Sequence, residues 1–179
     1  MTQEERDMLL YKPQNAHNAL SAAEEAEINA YCEDYKRFLD ASKTERECVF
    51  SAIELAEKRG FVEYKRGMAL NPGDKVYYNN RGKAIMLAVI GSQSLAKGAN
   101  IGAAHTDAPR LDIKPRPLFQ ASHAEMAYLK THYYGGIRKY QWVATPLELH
   151  GKVMRRDGSE VYVKIGADLN DPQFIISDL

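Results

Sequence analysis

Apolar residues at Ile28, Tyr31, Cys32, Tyr35, Phe38 and Leu39 recur at helical spacing. They put one apolar stripe on a helix of about five turns. Ser21 with Glu24 forms a capping-box pattern that opens it. A second such pattern, Ser42 with Glu45, predicts another helix. Its inward face would be Val49, Ala52, Ile53 and Ala56, and Gly60 is placed to end it.

After Gly60 the period changes. Phe61 to Tyr64 reads as a short strand and Asn71-Pro72-Gly73-Asp74 as a turn. Val76-Tyr77-Tyr78 and Ala84 to Ile90 flank Asn79-Asn80-Arg81-Gly82, which predicts a hairpin. The second of these strands is apolar on both faces, the pattern of a strand covered on both sides. Ala99 to Ala104 reads as a further strand of small residues running directly into His105-Thr106-Asp107. Leu111 to Lys114 alternates until Pro115 and Pro117 are expected to stop it. Short strands and turns dominate from Met126 onward. Val143 to Val153 and Val161 to Ile165 are joined by a turn centred on Asp157-Gly158, a hairpin signal. An α/β fold class follows, with a β-rich stretch from Gln141 of different character from the helical beginning.

Charge and composition narrow the function. The chain has 24 basic and 24 acidic residues, so no net field draws it to nucleic acid or an anionic membrane. The longest clean apolar run, Ala84 to Ile90, is far too short to span a bilayer. The first ten residues carry four charges, unlike a secretory signal. Cys32 and Cys48 read as reduced thiols of a cytoplasmic protein. The ending, Phe174-Ile175-Ile176 followed by Ser177-Asp178-Leu179, resembles a strand and a helix cap with nothing after it. The expectation is a chain that continues further.

His105-Thr106-Asp107 is the candidate chemistry. At i and i+2 of an extended segment, an imidazole and a carboxylate share one face. His105 could bind a metal through one ring nitrogen while Asp107 accepts the proton on the other. A strand-end histidine bonded to a nearby turn fits the same spacing. A zinc site needs three or four ligands, and this motif supplies one or two. Among the other histidines, His132 reads as a packed or surface strand residue. His150 is expected to face outward from a half-buried strand, and His17 and His123 carry no visible role. Gly135-Gly136 reads as a tight turn rather than a phosphate loop. Tyr133, Tyr134, Tyr140 and Trp142 read as packing residues. Arg110 and Lys114 could steer an acidic substrate group, and a solvated strand face explains them equally well.

Longer blocks decide between these readings. Ile101 to Pro115, around His105 and Asp107, closely resembles the first metal-binding segment of the aspartyl aminopeptidase family, the eighteenth metallopeptidase family. Thr131 to Trp142 is similar to that family's glycine-pair segment, and Pro146 to Val153 to the strand opening its inserted β-domain. Asp171 to Leu179 resembles a bacterial branch. The resemblance implies a zinc-dependent aminopeptidase with two metals per site, zinc being exchangeable for cobalt or manganese, acting on peptides. It makes His105 the first metal ligand and Asp107 the catalytic-site carboxylate that steadies it. It implies part of a catalytic domain over residues 1–140 and the beginning of an inserted β-domain over 141–179. It also implies a homo-oligomer, a tetrahedral shell of twelve subunits. The later ligands and the general base are absent, so this chain alone is expected neither to bind zinc tightly nor to turn over substrate. The rival reading is a catalytically inactive assembly module that keeps the β-domain contacts. A nucleotide- or nucleic-acid-binding domain is disfavoured by the neutral charge and missing phosphate loop.

Overall fold

The computed structural model describes residues 2–11, 13–120 and 125–177. His123, Asp178 and Leu179, all named above, lie outside them. The chain divides into two compact units, Met1–Asp40 and Ala41–Leu179.

The first unit holds α1 (Gln3–Leu9) and most of α2 (Ala22–Ala41). Thr2 and Glu5 cap α1 reciprocally. The expected Ser21–Glu24 box opens α2: the Ser21 amide donates to Glu24 Oε2 at 2.8 Å, and the Glu24 amide to Ser21 Oγ at 3.3 Å. Along α2, Tyr31 and Tyr35 stack with ring centroids 6.5 Å apart.

The second unit begins with α3 (Glu45–Lys58). Its N-cap is Thr44, with Glu47 closing the box, and not Ser42 with Glu45 as the first matching pattern suggested. The two patterns overlap, and tertiary contacts select between them, since Glu47 is held by His150 and Glu45 lies 3.9 Å from Arg110. Ser42 Oγ is left buried without a hydrogen-bond partner among the described residues. At the other end Gly60 takes φ +82°. The amides of Gly60 and Phe61 return to the carbonyls of Glu57 and Ala56, the left-handed stop that glycine permits.

α3 packs on a three-stranded mixed sheet in the order β1 (Val62–Glu63), β2 (Lys75–Asn80), β3 (Ala84–Val89). β1 is parallel to β2, and β2 and β3 form the expected hairpin. Val49, Ala56, Val76 and Tyr77 make the buried core among the described residues. β3 differs from expectation. It is an edge strand with Met86 and Val89 exposed at 63% and 61%, although its sequence is that of a strand covered on both faces.

Two antiparallel ribbons follow. β4 (Arg110–Gln120) pairs with β5 (Ala127–Tyr134), and β6 (Leu149–Met154) with β7 (Glu160–Ile165) through the expected Asp157-Gly158 turn. β4 runs through Pro115 and Pro117, which were expected to stop it. Its register shifts between Ile113 and Leu118, so the two residues lacking an amide hydrogen sit where no ladder bond is required. Leu147 bridges Phe174, so the strand expected from Val143 starts at Leu149. Ala99 to Ala104 forms no strand: the segment is exposed and has no ladder partner among the described residues. Extended propensity without a neighbour leaves backbone groups to water, and no strand results. The class is α/β, helices with mixed and antiparallel sheets. Among the described residues, no helix is long and apolar enough to cross a membrane.

Candidate functional site

His105 and Asp107 lie in the irregular segment between β3 and β4, and their i, i+2 spacing still brings them together. His105 Nδ1 is 2.7 Å from the main-chain oxygen of Asp107 and 3.2 Å from its carboxylate Oδ1. A carbonyl oxygen only accepts, so Nδ1 carries the proton that it receives. The lone pair of the neutral ring is then on Nε2, in a side chain 80% exposed. This is the donor chemistry of a metal-binding histidine, with its other nitrogen fixed by a carbonyl and a carboxylate. Thr106 Oγ1, between them, reaches the Lys83 carbonyl in the β2–β3 turn at 3.5 Å.

The second carboxylate oxygen of Asp107 is also held. Tyr134 Oη donates to Asp107 Oδ2 at 2.7 Å from the end of β5. That hydroxyl is the main reason the Asp107 carboxyl is held below its ordinary value, with its own main-chain amide adding to it. The Tyr134 phenol is correspondingly pushed up, because ionising it would lose the same bond and oppose the same charge. Arg110 stands directly across the ladder from Tyr134, its guanidinium carbon 4.0 Å from the ring centroid. Arg110 Nε in turn donates to Asp112 Oδ1 at 2.7 Å. Gly135 turns the chain at φ +75°, where a Cβ would lie 3.6 Å from Pro109 Cα, so Gly135 packs against the segment leaving Asp107. A pocket of about 460 Å³ opens there, lined by Pro109, Gly136, Ile137, Arg138, Gln141 and Trp142.

Sequence reasoning named His105, Asp107 and Arg110 and took Tyr134 for packing. The signal it lacked was the β4–β5 register, which carries a hydroxyl from 27 positions away onto the carboxylate. His132 is a ladder residue opposite Asp112, its ring 5.1 Å from that of Tyr133. His150 departs from expectation. Its side chain is 6% exposed, with Nδ1 2.7 Å from Glu47 Oε1 and Nε2 2.7 Å from Glu148 Oε2. The outward-facing reading fails because Glu47 of α3 and Glu148 take the two ring nitrogens of His150. Among the described residues, no three His, Cys, Asp or Glu side chains come together as a metal cage.

The fold defines an α/β protein with a small mixed sheet and appended β-ribbons. A family model described as aminopeptidase I zinc metalloprotease (M18) matches residues 38–179. The chain belongs to this M18 aminopeptidase family. It is 44% identical over 168 residues to a probable M18 family aminopeptidase 1 of Borrelia garinii, covering 94% of this chain and 36% of that protein. It is 44% identical over 175 residues to the corresponding protein of Clostridium acetobutylicum, covering 96% and 37%. The crystal structure of aminopeptidase I from Borrelia burgdorferi superposes with a TM-score of 0.84 at 42% identity, covering 93% of this chain and 41% of that one. The chain thus spans little more than a third of the length of these curated relatives.

Proposed function

We propose that this chain is one segment of a zinc-dependent aminopeptidase that releases N-terminal residues from peptides, and that His105 is a metal ligand steadied by Asp107. The observation that carries the reading is the bare Nε2 of an exposed ring whose Nδ1 is held by Asp107. Zinc, or cobalt or manganese in its place, would supply Lewis acidity toward the peptide carbonyl and an acidified water. His105 contributes the ligand nitrogen, and Asp107, by holding Nδ1, aims it. Two metals per site need several more donors, so the general base and remaining ligands belong to segments other than this one. In this reading residues 1–140 are part of the catalytic domain, and 141–179 begin an inserted β-domain that joins copies into a cytoplasmic homo-oligomer. The M18 membership of residues 38–179 supports it.

The test is the full-length polypeptide carrying this segment, with and without His105→Ala. Zinc content and release of N-terminal residues are measured together. The variant is expected to lose at least about 100-fold in activity, since disturbing even the outer partners of a ligand costs 10–100-fold. Wild-type zinc content and turnover in His105→Ala would overturn the assignment. One observation favours the rival assembly module. Among the described residues the β6–β7 ribbon has two strands, and such ribbons gain stability by adding another. A defined oligomer of the 179-residue chain that is lost when β6 and β7 are deleted would support it.

A further inference from the structure

Asp107 has two carboxylate oxygens with different duties. Oδ1 faces the His105 ring at 3.2 Å, and Oδ2 accepts the Tyr134 hydroxyl at 2.7 Å. Asp107 sits in an irregular segment, with its side chain 35% exposed. Its own main-chain amide also donates to the carboxylate, and the Tyr134 hydroxyl is the strongest of its partners and the one that comes from a distant strand. Tyr134, by contrast, ends a regular ladder. Its ring is covered by Arg110, the residue opposite it, and Arg110 is fixed through Asp112 Oδ1 at 2.7 Å. The end of the β4–β5 ribbon thus meets the loop at two places, Gly135 against Pro109 and the Tyr134 hydroxyl on the second oxygen of Asp107.

We infer that Tyr134 is a positioning residue for the metal site: its hydroxyl holds the Asp107 carboxylate so that the remaining oxygen stays on His105 Nδ1. This rests on the reading of His105 as a ligand. Tyr134 touches neither metal nor substrate in this assignment and acts only through Asp107. The Arg110 guanidinium orients the phenol from the other side, with cation–π contact replacing a covalent support.

The test measures zinc affinity of the full-length polypeptide by competition with a chelator at fixed free zinc, with thermal melting alongside. Tyr134→Phe removes one oxygen atom and keeps the ring under Arg110. It is expected to weaken zinc binding about 10-fold, the lower end for a group supporting a ligand, with an unchanged melting temperature. The same substitution in an Asp107→Ala background is expected to change affinity less than about 2-fold, because its route to the metal is gone. Equal losses in both backgrounds would mean that Tyr134 acts structurally, and no loss in either would mean that the hydroxyl is idle. Both results overturn the inference. His105→Ala serves as the separate check on the underlying reading: unchanged zinc affinity there would remove the ligand itself, whatever Tyr134→Phe does.

Discussion

Glu47 ties the start of α3 to β6, and its replacement gives a quantitative test of the fold. Its Oε2 accepts from the Thr44 amide at 2.9 Å and the Thr44 hydroxyl at 3.0 Å, closing the helix cap. Its Oε1 meets His150 Nδ1 at 2.7 Å, and His150 Nε2 meets Glu148 at the same distance. Each ring nitrogen faces an oxygen that only accepts, an arrangement that the doubly protonated ring satisfies in full. Burial pushes the Glu47 carboxyl up, but the His150 hydrogen bond and charge together with the Thr44 bonds hold it below its ordinary 4.5. A net charge-assisted hydrogen bond contributes about 1.5–3 kcal/mol, and the lower end applies because the Glu47 side chain is 29% exposed and partly screened. The glutamate half of the cap adds about 0.5 kcal/mol. Glu47→Ala should therefore cost about 2 kcal/mol. Glu47→Gln keeps an amide oxygen for Thr44 and loses the charge, costing about 1 kcal/mol.

Urea unfolding followed by circular dichroism reads this directly. With a slope of about 2 kcal/mol per molar, Glu47→Ala should lower the midpoint by about 1 M and leave the slope unchanged. A carboxyl whose folded value is depressed stabilises fully above its unfolded value and loses that contribution as pH falls through the folded one. The gap between wild type and Glu47→Gln should thus close as pH falls below the ordinary 4.5 of the Glu47 carboxyl. A cycle with His150→Ala supplies the decisive number: strictly additive losses would refute the bridge, whereas coupling of about 1 kcal/mol is expected.

Two further outcomes follow from the same unit. Tyr77 Oη donates to Glu57 at 2.7 Å, and that bond, with burial and the Glu57 charge, pushes the phenol up to about 12. A raised phenol value contributes stability below the ordinary 10 that is lost as pH rises toward 12, so the alkaline unfolding limb should flatten in Tyr77→Phe. An ultraviolet titration with every tyrosine ionising near 10 would contradict this. Gly166 has φ +101°, and a Cβ there would lie 3.0 Å from the Leu147 oxygen and 3.3 Å from Glu148 Cα, both backbone. Gly166→Ala should cost about 2 kcal/mol and lower the melting temperature by about 5 °C; a change within about 1 °C would show that the Leu147–Glu148 backbone yields freely.

The patterns that the sequence carries locally were the ones that read correctly. The β2–β3 and β6–β7 turns contain the residues their backbone needs: Gly82 and Gly158 take φ of +66° and +84°. Gly60 stops α3 for the same reason. Where two local patterns competed, distance in sequence decided. Ser42–Glu45 and Thr44–Glu47 satisfy the same capping rule, and only contacts with His150 and Arg110, far along the chain, choose the frame. Pro115 and Pro117 read as stops because a proline forbids a ladder bond, and a register shift in the partner pairing removed that requirement.

The candidate site follows the same division. His105 and Asp107 could be named as candidates because both lie in one short segment whose neighbours resemble a known ligand block. Tyr134 was not, because its duty exists only once β4 and β5 are in register, and a tyrosine beside another tyrosine carries no mark of it. The Ala99–Ala104 segment sharpens the point. Its residues favour an extended chain, yet extended chain becomes strand only beside a partner, and none of the described residues supplies one. The exposed apolar side chains of neighbouring β3 have the same cause. Both are apolar or extended stretches without a partner among the described residues, and the pair His105–Asp107 follows directly on one of them.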